Sequence, residues 1–148
     1  MSMSKEPLVS AADPSRFHDA AEAGDVAALA ALFTDDIKLF SPVKFAPFEG
    51  KDQVVGLFHV LVRTFEDFHY IGEFDGTADT TGDGTPAPSA VLLFRTTVNG
   101  KQIHGIDMLQ FDDAGMIKEI TVMVRPQSAV VTLGEAILAG LRADGLAP

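Results

Sequence analysis

The stretch that decides the fold is Gly105-Ile106-Asp107-Met108-Leu109-Gln110-Phe111, in which a carboxylate stands in otherwise uncharged company. Side chains alternate across a β-strand, so Asp107 shares one face with Leu109 and Phe111. An acid on such a face is a polar group held inside a pocket. Burial without a cationic neighbour is expected to raise the pKa of Asp107, and a protonated carboxyl can donate a hydrogen bond to a ligand oxygen.

The residues before this stretch set its register. Asn99-Gly100 is a strong signal for a two-residue hairpin turn, and it joins a strand at 90–98 to one at 101–111. This turn predicts that Leu92 pairs with Asp107.

The residues after the stretch predict a second hairpin. Asp112-Asp113-Ala114-Gly115 leads into a strand from Met116 to Arg125. If that turn has four residues, Ile120 pairs with Asp107 from the other side.

The remaining chain alternates helical and strand patterns. Two short helices are predicted first: one lies between Asp13-Pro14 and Gly24, and the next is capped by Asp25. They are followed by a strand, then a longer helix after Gly50, and then a strand over 68–75. A loop is predicted over 76–89. These elements predict an α+β fold, with a curved antiparallel sheet wrapped by N-terminal helices.

We expect three regions: a flexible N-terminus in residues 1–12, a single domain in 13–126 and a C-terminal helical extension in 127–148. The extension has an amphipathic pattern from Ser128 to Leu141. The pattern does not decide whether this helix covers the pocket or joins a dimer interface.

Composition excludes several classes of function. The 148 residues contain no cysteine, so disulfides and thiolate sites are excluded. The net charge of −10 disfavours nucleic acid and anionic membrane surfaces as partners. No apolar run is long enough for a signal peptide core or a membrane span, so we expect a cytoplasmic protein.

Several short motifs carry a resemblance to a known family. Ala23-Gly24-Asp25, Phe33-Thr34-Asp35-Asp36 and Phe48-Glu49-Gly50-Lys51 come first, then Phe65-Glu66-Asp67-Phe68-His69-Tyr70 and Phe111-Asp112-Asp113-Ala114-Gly115. In this order and spacing they resemble SnoaL-like proteins of the NTF2-like superfamily. The resemblance implies a cone, in which a bent sheet surrounds helices and a deep pocket opens at one end.

The resemblance also implies roles for individual residues. Members of the superfamily include ketosteroid isomerases, polyketide cyclases and limonene epoxide hydrolases. Asp107 matches the acid that binds the oxyanion in ketosteroid isomerase, but Ser41 stands at the position of the base and Phe17 at that of the tyrosine. Serine is not a general base near neutral pH and phenylalanine donates no hydrogen bond, so steroid isomerase activity is not expected. Cyclases need little more than the one aspartate.

The predicted site centres on Asp107 as the candidate catalytic acid or base. His59 is a second, weaker candidate, which is either directed into the cone or a half-buried packing residue. No histidine spacing indicates a metal site, and no cofactor is expected. The expected pocket residues are Phe17, Ser41, Phe58, Leu92, Phe94, Asp107, Leu109, Ile120 and Val122.

The other face of the sheet is unusually apolar. It carries Val91, Leu93, Ile106, Met108 and Met123 among polar residues. Such a face is typical of a partner surface, so we expect a homodimer joined sheet to sheet. Three functions remain open: binding of a small, largely apolar ligand with an acceptor oxygen, an isomerase or cyclase that uses Asp107, and a non-catalytic dimeric interaction module.

Overall fold

A computed structural model describes residues 13–148 of the chain, so the flexible N-terminus predicted for residues 1–12 lies outside the described part. The helices are α1 (Ser15–Ala23), α2 (Val26–Ala30), α3 (Lys51–Thr64) and α4 (Gln127–Ala143). The strands are β1 (Phe33–Phe40), β2 (Phe48–Glu49), β3 (Glu66–Asp79), β4 (Pro86–Val98), β5 (Lys101–Phe111) and β6 (Ile117–Arg125).

The strands form one sheet in the order β2-β1-β6-β5-β4-β3. All neighbouring strands are antiparallel except β1 and β6, which are parallel. The helices contribute buried apolar side chains to the core on the inner face of this sheet. The predicted α+β class, with a curved sheet between N- and C-terminal helices, is confirmed.

Local sequence signals explain where the first two helices begin and end. The Asp13 side chain accepts a hydrogen bond of 2.9 Å from the backbone N–H of Ser15, the first residue of α1. Gly24 ends that helix in the left-handed region, with φ of 67°. Asp25 then accepts a hydrogen bond from the Ala28 N–H at 3.0 Å and caps α2, as its residue type predicts.

The hairpin register around Asp107 agrees with the sequence on one side and differs on the other. Leu92 pairs with Asp107 across β4 and β5, as the Asn99-Gly100 turn predicts. On β6, however, the partner of Asp107 is Val122. The turn has five residues, 112–116, so that Phe111 pairs with Ile117, and an irregularity between Gln110 and Phe111 shifts the pairing by one further residue. The register differs by two residues from the predicted one, so each side chain keeps its face.

The predicted loop over 76–89 is shorter in the structure, because β3 continues to Asp79 and β4 begins at Pro86. The buried carboxylate of Glu119 holds the remaining loop against the sheet. It accepts hydrogen bonds from the backbone N–H groups of Thr81 at 3.0 Å and Gly82 at 2.8 Å.

The C-terminal helix α4 packs against the domain through Ala129, Leu133 and Ile137, which are all buried. Arg63 of α3 donates hydrogen bonds to the carbonyl oxygen of Gly140 at 3.2 Å and to the carboxylate of Asp144 at 2.9 Å. These contacts fasten the end of α4 to α3. Within residues 13–148, none of the helices combines the length and apolarity that crossing a membrane requires.

Candidate functional site

A cavity of about 380 Å³ lies between the inner face of the sheet and the helices. Its wall is largely apolar and comes from all four described helices and from five of the six strands, β2 being the exception. Leu133 and Ile137 place α4 directly on this wall, so the last helix covers the cavity. An apolar cavity with few polar groups is the usual form of a small-molecule site.

The polar centre of the cavity is a pair formed by Asp107 and Tyr70, which both line it. The Tyr70 phenol donates a hydrogen bond of 2.7 Å to Oδ2 of Asp107. In residues 13–148, no lysine, arginine or histidine forms an ion pair with this carboxyl. When Asp107 is protonated, its own O–H is available to a ligand while the phenol polarises the other oxygen.

Burial controls the ionisation of this pair. Asp107 is 8% exposed, and loss of solvation raises its pKa from 3.8 to about 7, against a smaller opposing effect of the Tyr70 hydrogen bond. Burial and the neighbouring Asp107 also raise the pKa of Tyr70 well above its usual 10.0. Near neutral pH the phenol therefore keeps its proton while the carboxyl exchanges one.

An aromatic cluster holds Tyr70 in place. Its ring lies edge-on to Phe68 at 5.1 Å and to Phe94 at 6.4 Å between centroids. Phe65 stacks on Phe68 at 5.3 Å. Phe94 in turn lies over Gly105, where a side chain would collide with its ring. The missing side chain at Gly105 therefore makes room for the cluster beside Asp107.

The backbone of Tyr70 is tied to α1 by Glu22. The pairing of β3 with β4 is irregular between Tyr70 and Gly72, and the Tyr70 N–H donates instead to the Glu22 carboxylate at 2.8 Å. His18 lies beside both residues, with its ring 4.9 Å from that of Tyr70 and Nε2 3.6 Å from the Glu22 carboxylate.

The structure places five of the nine expected pocket residues on the cavity wall. They are Ser41, Phe58, Phe94, Asp107 and Val122. The Ser41 hydroxyl accepts a hydrogen bond from the Val43 N–H at 3.3 Å, so it is engaged with its own turn.

The other four expected pocket residues lie in the core, outside the cavity wall. They are Phe17, Leu92, Leu109 and Ile120, each at most 1% exposed. Phe17 packs edge-on against Phe58 at 6.1 Å between centroids. Ile120 pairs with Leu109 because of the register shift on β6, and Val122 takes the place expected for it.

His59 also lies outside the cavity. The buried face of α3 carries Val54, Leu57, Phe58 and Leu61, so helical geometry directs residue 59 toward solvent, and the structure leaves His59 exposed. In the described part of the chain, no group of three or more His, Asp or Glu side chains is arranged to hold a metal ion.

Tyr70 is the functional residue that the sequence reasoning missed. The resemblance to ketosteroid isomerase places the tyrosine donor at the position of Phe17, whereas in the structure the phenol beside Asp107 comes from β3. A signal was present, because Tyr70 is the only tyrosine of the chain and follows Phe68 by two residues, on the same face of a strand.

A second, more open groove of about 760 Å³ runs between α4 and the connection from β1 to β2. It is lined mainly by apolar residues, among them Val131, Leu138 and Leu146. None of its described lining residues is a buried acid or base. The smaller cavity, which contains the buried Asp107, is therefore the candidate site.

Comparison with known proteins agrees with the fold. A family model described as a SnoaL-like domain matches residues 15–120. A comparison with curated proteins gives no match.

Solved structures share the fold. A Pseudomonas aeruginosa protein described as a steroid delta-isomerase is 30% identical, with 96% of each chain covered and a TM-score of 0.76. An uncharacterized Silicibacter pomeroyi protein with a cystatin-like fold is 22% identical, with 88% of this chain and 86% of that chain covered and a TM-score of 0.77. A SnoaL-like protein of unknown function from Burkholderia thailandensis is 18% identical, with coverage of 76% and 90% and a TM-score of 0.59. The match over residues 15–120 and the similarity to the Pseudomonas protein show that the chain belongs to the SnoaL-like family of the NTF2-like superfamily.

Proposed function

We propose that this protein binds a small, largely apolar molecule with an acceptor oxygen, and that Asp107 is the polar anchor. The observation that carries the proposal is the hydrogen bond from Tyr70 to Asp107 inside an apolar cavity. Burying an acid costs free energy, and this one has a single described side-chain partner. A ligand carbonyl would give the protonated carboxyl an acceptor.

Binding of 2-acetylnaphthalene, an apolar ketone, tests this proposal. We expect the wild-type protein to bind this ketone at pH values below the pKa of Asp107. Asp107→Asn should retain binding, because its amide still donates a hydrogen bond. Asp107→Leu should bind the ketone at least tenfold more weakly. Asp113→Asn serves as the control, since Asp113 lies in the exposed turn between β5 and β6. Equal affinity of Asp107→Leu and wild type would refute the anchor role.

The second candidate function is acid or base catalysis by Asp107 in an isomerase or cyclase reaction. It is favoured by a carboxyl pKa of about 7, which suits proton transfer near neutral pH, and by the relative described as a steroid delta-isomerase. Tyr70 adds a phenol beside the acid, although Ser41 still leaves the expected base position without a base. Steroid isomerase activity therefore requires a base from elsewhere in the cavity.

Conversion of a β,γ-unsaturated steroid ketone to its conjugated isomer, followed by ultraviolet absorbance, distinguishes the two functions. Catalysis predicts turnover that Asp107→Asn abolishes while ligand binding persists. Binding without turnover in the wild-type protein supports the anchor role alone.

The third candidate is a dimeric interaction module, in which the outer face of the sheet is the functional surface. Phe74 and Met123 on this face are 66% and 57% exposed. Half-buried Val91, Leu93, Ile106 and Met108 lie between them. Apolar area of this kind supports a homodimer joined through the sheets, which is compatible with either function of the cavity.

A further inference from the structure

The exposed rim of the cavity carries charge of one sign. Glu22, near the end of α1, and Asp67, at the start of β3, both line the cavity and are both exposed. In the described part of the chain, no lysine, arginine or histidine is among the residues that line it. A ligand whose apolar body fills the cavity therefore meets carboxylates at the rim.

Both rim carboxylates are held by the fold. The side chain of Glu22 is 34% exposed and accepts a hydrogen bond from the Tyr70 N–H, which fixes it at the backbone end of Tyr70, opposite the phenol that contacts Asp107. Asp67 has a φ of 54°, in the left-handed region that aspartate tolerates better than most residues. Its carbonyl oxygen accepts a hydrogen bond from Nδ1 of His69 at 2.8 Å, so the turn that presents its side chain is also tethered.

Within the described residues, His18 is the only basic side chain that lies within ion-pair distance of either carboxylate, while the ring of His69 contacts the carbonyl of Asp67. Nε2 of His18 lies 3.6 Å from Glu22, but Nδ1 of the same ring lies 3.2 Å from Asp19. His18 is therefore shared between two acids and leaves the local charge negative even when it is protonated.

We propose that the cavity selects its ligand by charge. It accepts neutral and cationic ligands and disfavours apolar carboxylic acids. The preferred ligand is an apolar ketone with an amine at the end remote from the carbonyl. This inference rests on the proposed function, because the carbonyl has to reach Asp107 while the charged end lies at the rim. The electrostatic interaction of a charged ligand group with two surface carboxylates is large enough to change the Kd roughly tenfold between a cationic and an anionic ligand. Added salt screens this interaction.

The test uses three probes with the same apolar body: 2-acetylnaphthalene with an aminomethyl, a hydroxymethyl or a carboxyl group at the ring position remote from the ketone. Their Kd values are measured at about pH 6, where the amine is cationic and the carboxyl group is ionised, at low and at high salt. We expect the amine to bind most tightly and the acid most weakly, with a spread of roughly tenfold or more that shrinks at high salt.

Asp67→Asn is the informative variant, because asparagine also tolerates the left-handed region and removes only the charge. It is expected to narrow the difference in Kd between the amine and the acid, by weakening the binding of the amine and strengthening that of the acid. Asp113→Asn removes the same charge from the exposed β5–β6 turn and is expected to leave the spread as in the wild type.

The outcomes separate this inference from the proposed function. If the hydroxymethyl probe binds in a way that depends on Asp107 but the amine and the acid bind equally well, selection by charge is refuted and the anchor role stands. Selection by charge at the rim is also refuted if Asp113→Asn reduces the difference in Kd between the amine and the acid as much as Asp67→Asn does. The difference would then come from the net charge of the protein. Failure of all three probes to bind overturns both proposals.

Discussion

Phe94 lies across Gly105, where an added Cβ atom would come within 2.5 Å of Cζ of the phenylalanine ring and 2.8 Å of the Met123 carbonyl oxygen. We expect Gly105→Ala to lower the free energy of unfolding by about 1–3 kcal/mol, because either the ring or the strand has to move in a packed core. Urea denaturation measures this change. The displaced ring lies beside Tyr70, so ketone affinity should fall as well.

Gly76→Ala is the matched control for this prediction. Gly76 lies in β3, and a Cβ atom there meets nothing within 4 Å. Its effect is expected to stay within about 0.5 kcal/mol. A Gly105→Ala protein as stable as wild type would show that Phe94 is not confined by the strand beneath it.

The hydrogen bond between Tyr70 and Asp107 can be examined with a double-mutant cycle. Asp107→Leu leaves a largely buried phenol without its acceptor, so we expect it to lower the free energy of unfolding by about 1–3 kcal/mol. Adding Tyr70→Phe removes the unpaired group, and the double variant should recover to within about 1 kcal/mol of wild type. Strictly additive effects would mean that the two groups do not interact in solution.

The raised pKa of Asp107 predicts how stability depends on pH. Between 3.8 and about 7 the folded protein binds more proton at this carboxyl than the unfolded chain. The free energy of unfolding should therefore fall as pH rises through this window, by at most about 4 kcal/mol, and this contribution should be constant above it.

The difference between wild type and Asp107→Leu isolates that contribution, because every other ionisable side chain is common to both proteins. Urea denaturation of the two proteins at a series of pH values gives this difference. A difference that does not change with pH would place the pKa of Asp107 near its ordinary value and argue against a protonated anchor.

The proposed sheet-to-sheet dimer predicts the effect of a charge on the outer face. Met108→Glu would bring two like charges together across a twofold interface, next to the half-buried Ile106, and should dissociate the dimer. Sedimentation equilibrium gives the mass. Ala114→Glu adds the same charge at the exposed β5–β6 turn and should leave the dimer intact. A dimer that survives Met108→Glu has its interface elsewhere.

Local signals carried most of the fold prediction. The turn at Asn99-Gly100 set the pairing of Leu92 with Asp107, because a two-residue turn leaves little freedom in register. The next hairpin has a turn one residue longer than predicted and an irregularity between Gln110 and Phe111, and its sequence indicates neither. The predicted partner of Asp107 is therefore two residues away from the observed Val122.

The site was harder to predict, because alternation assigns a residue to a face but not to a depth. Leu92 and Leu109 share the face of Asp107, yet they are enclosed by the core, while Val122 reaches the cavity. The spacing of Tyr70 from Phe68 indicates the face of β3 on which the phenol lies, but its contact with Asp107 depends on how β3, β4 and β5 pair, with an irregularity between Tyr70 and Gly72.

The covering of the cavity by α4 links the ligand to the last part of the chain. Leu133 and Ile137 are at once core residues of this helix and part of the cavity wall, and Arg63 fastens the helix at Gly140 and Asp144. A molecule bound as proposed would add contacts that hold α4 in place, and a transient detachment of the helix would open a route for its exchange. The residence time of a ligand and the protection of the α4 amides from hydrogen exchange then report the same opening.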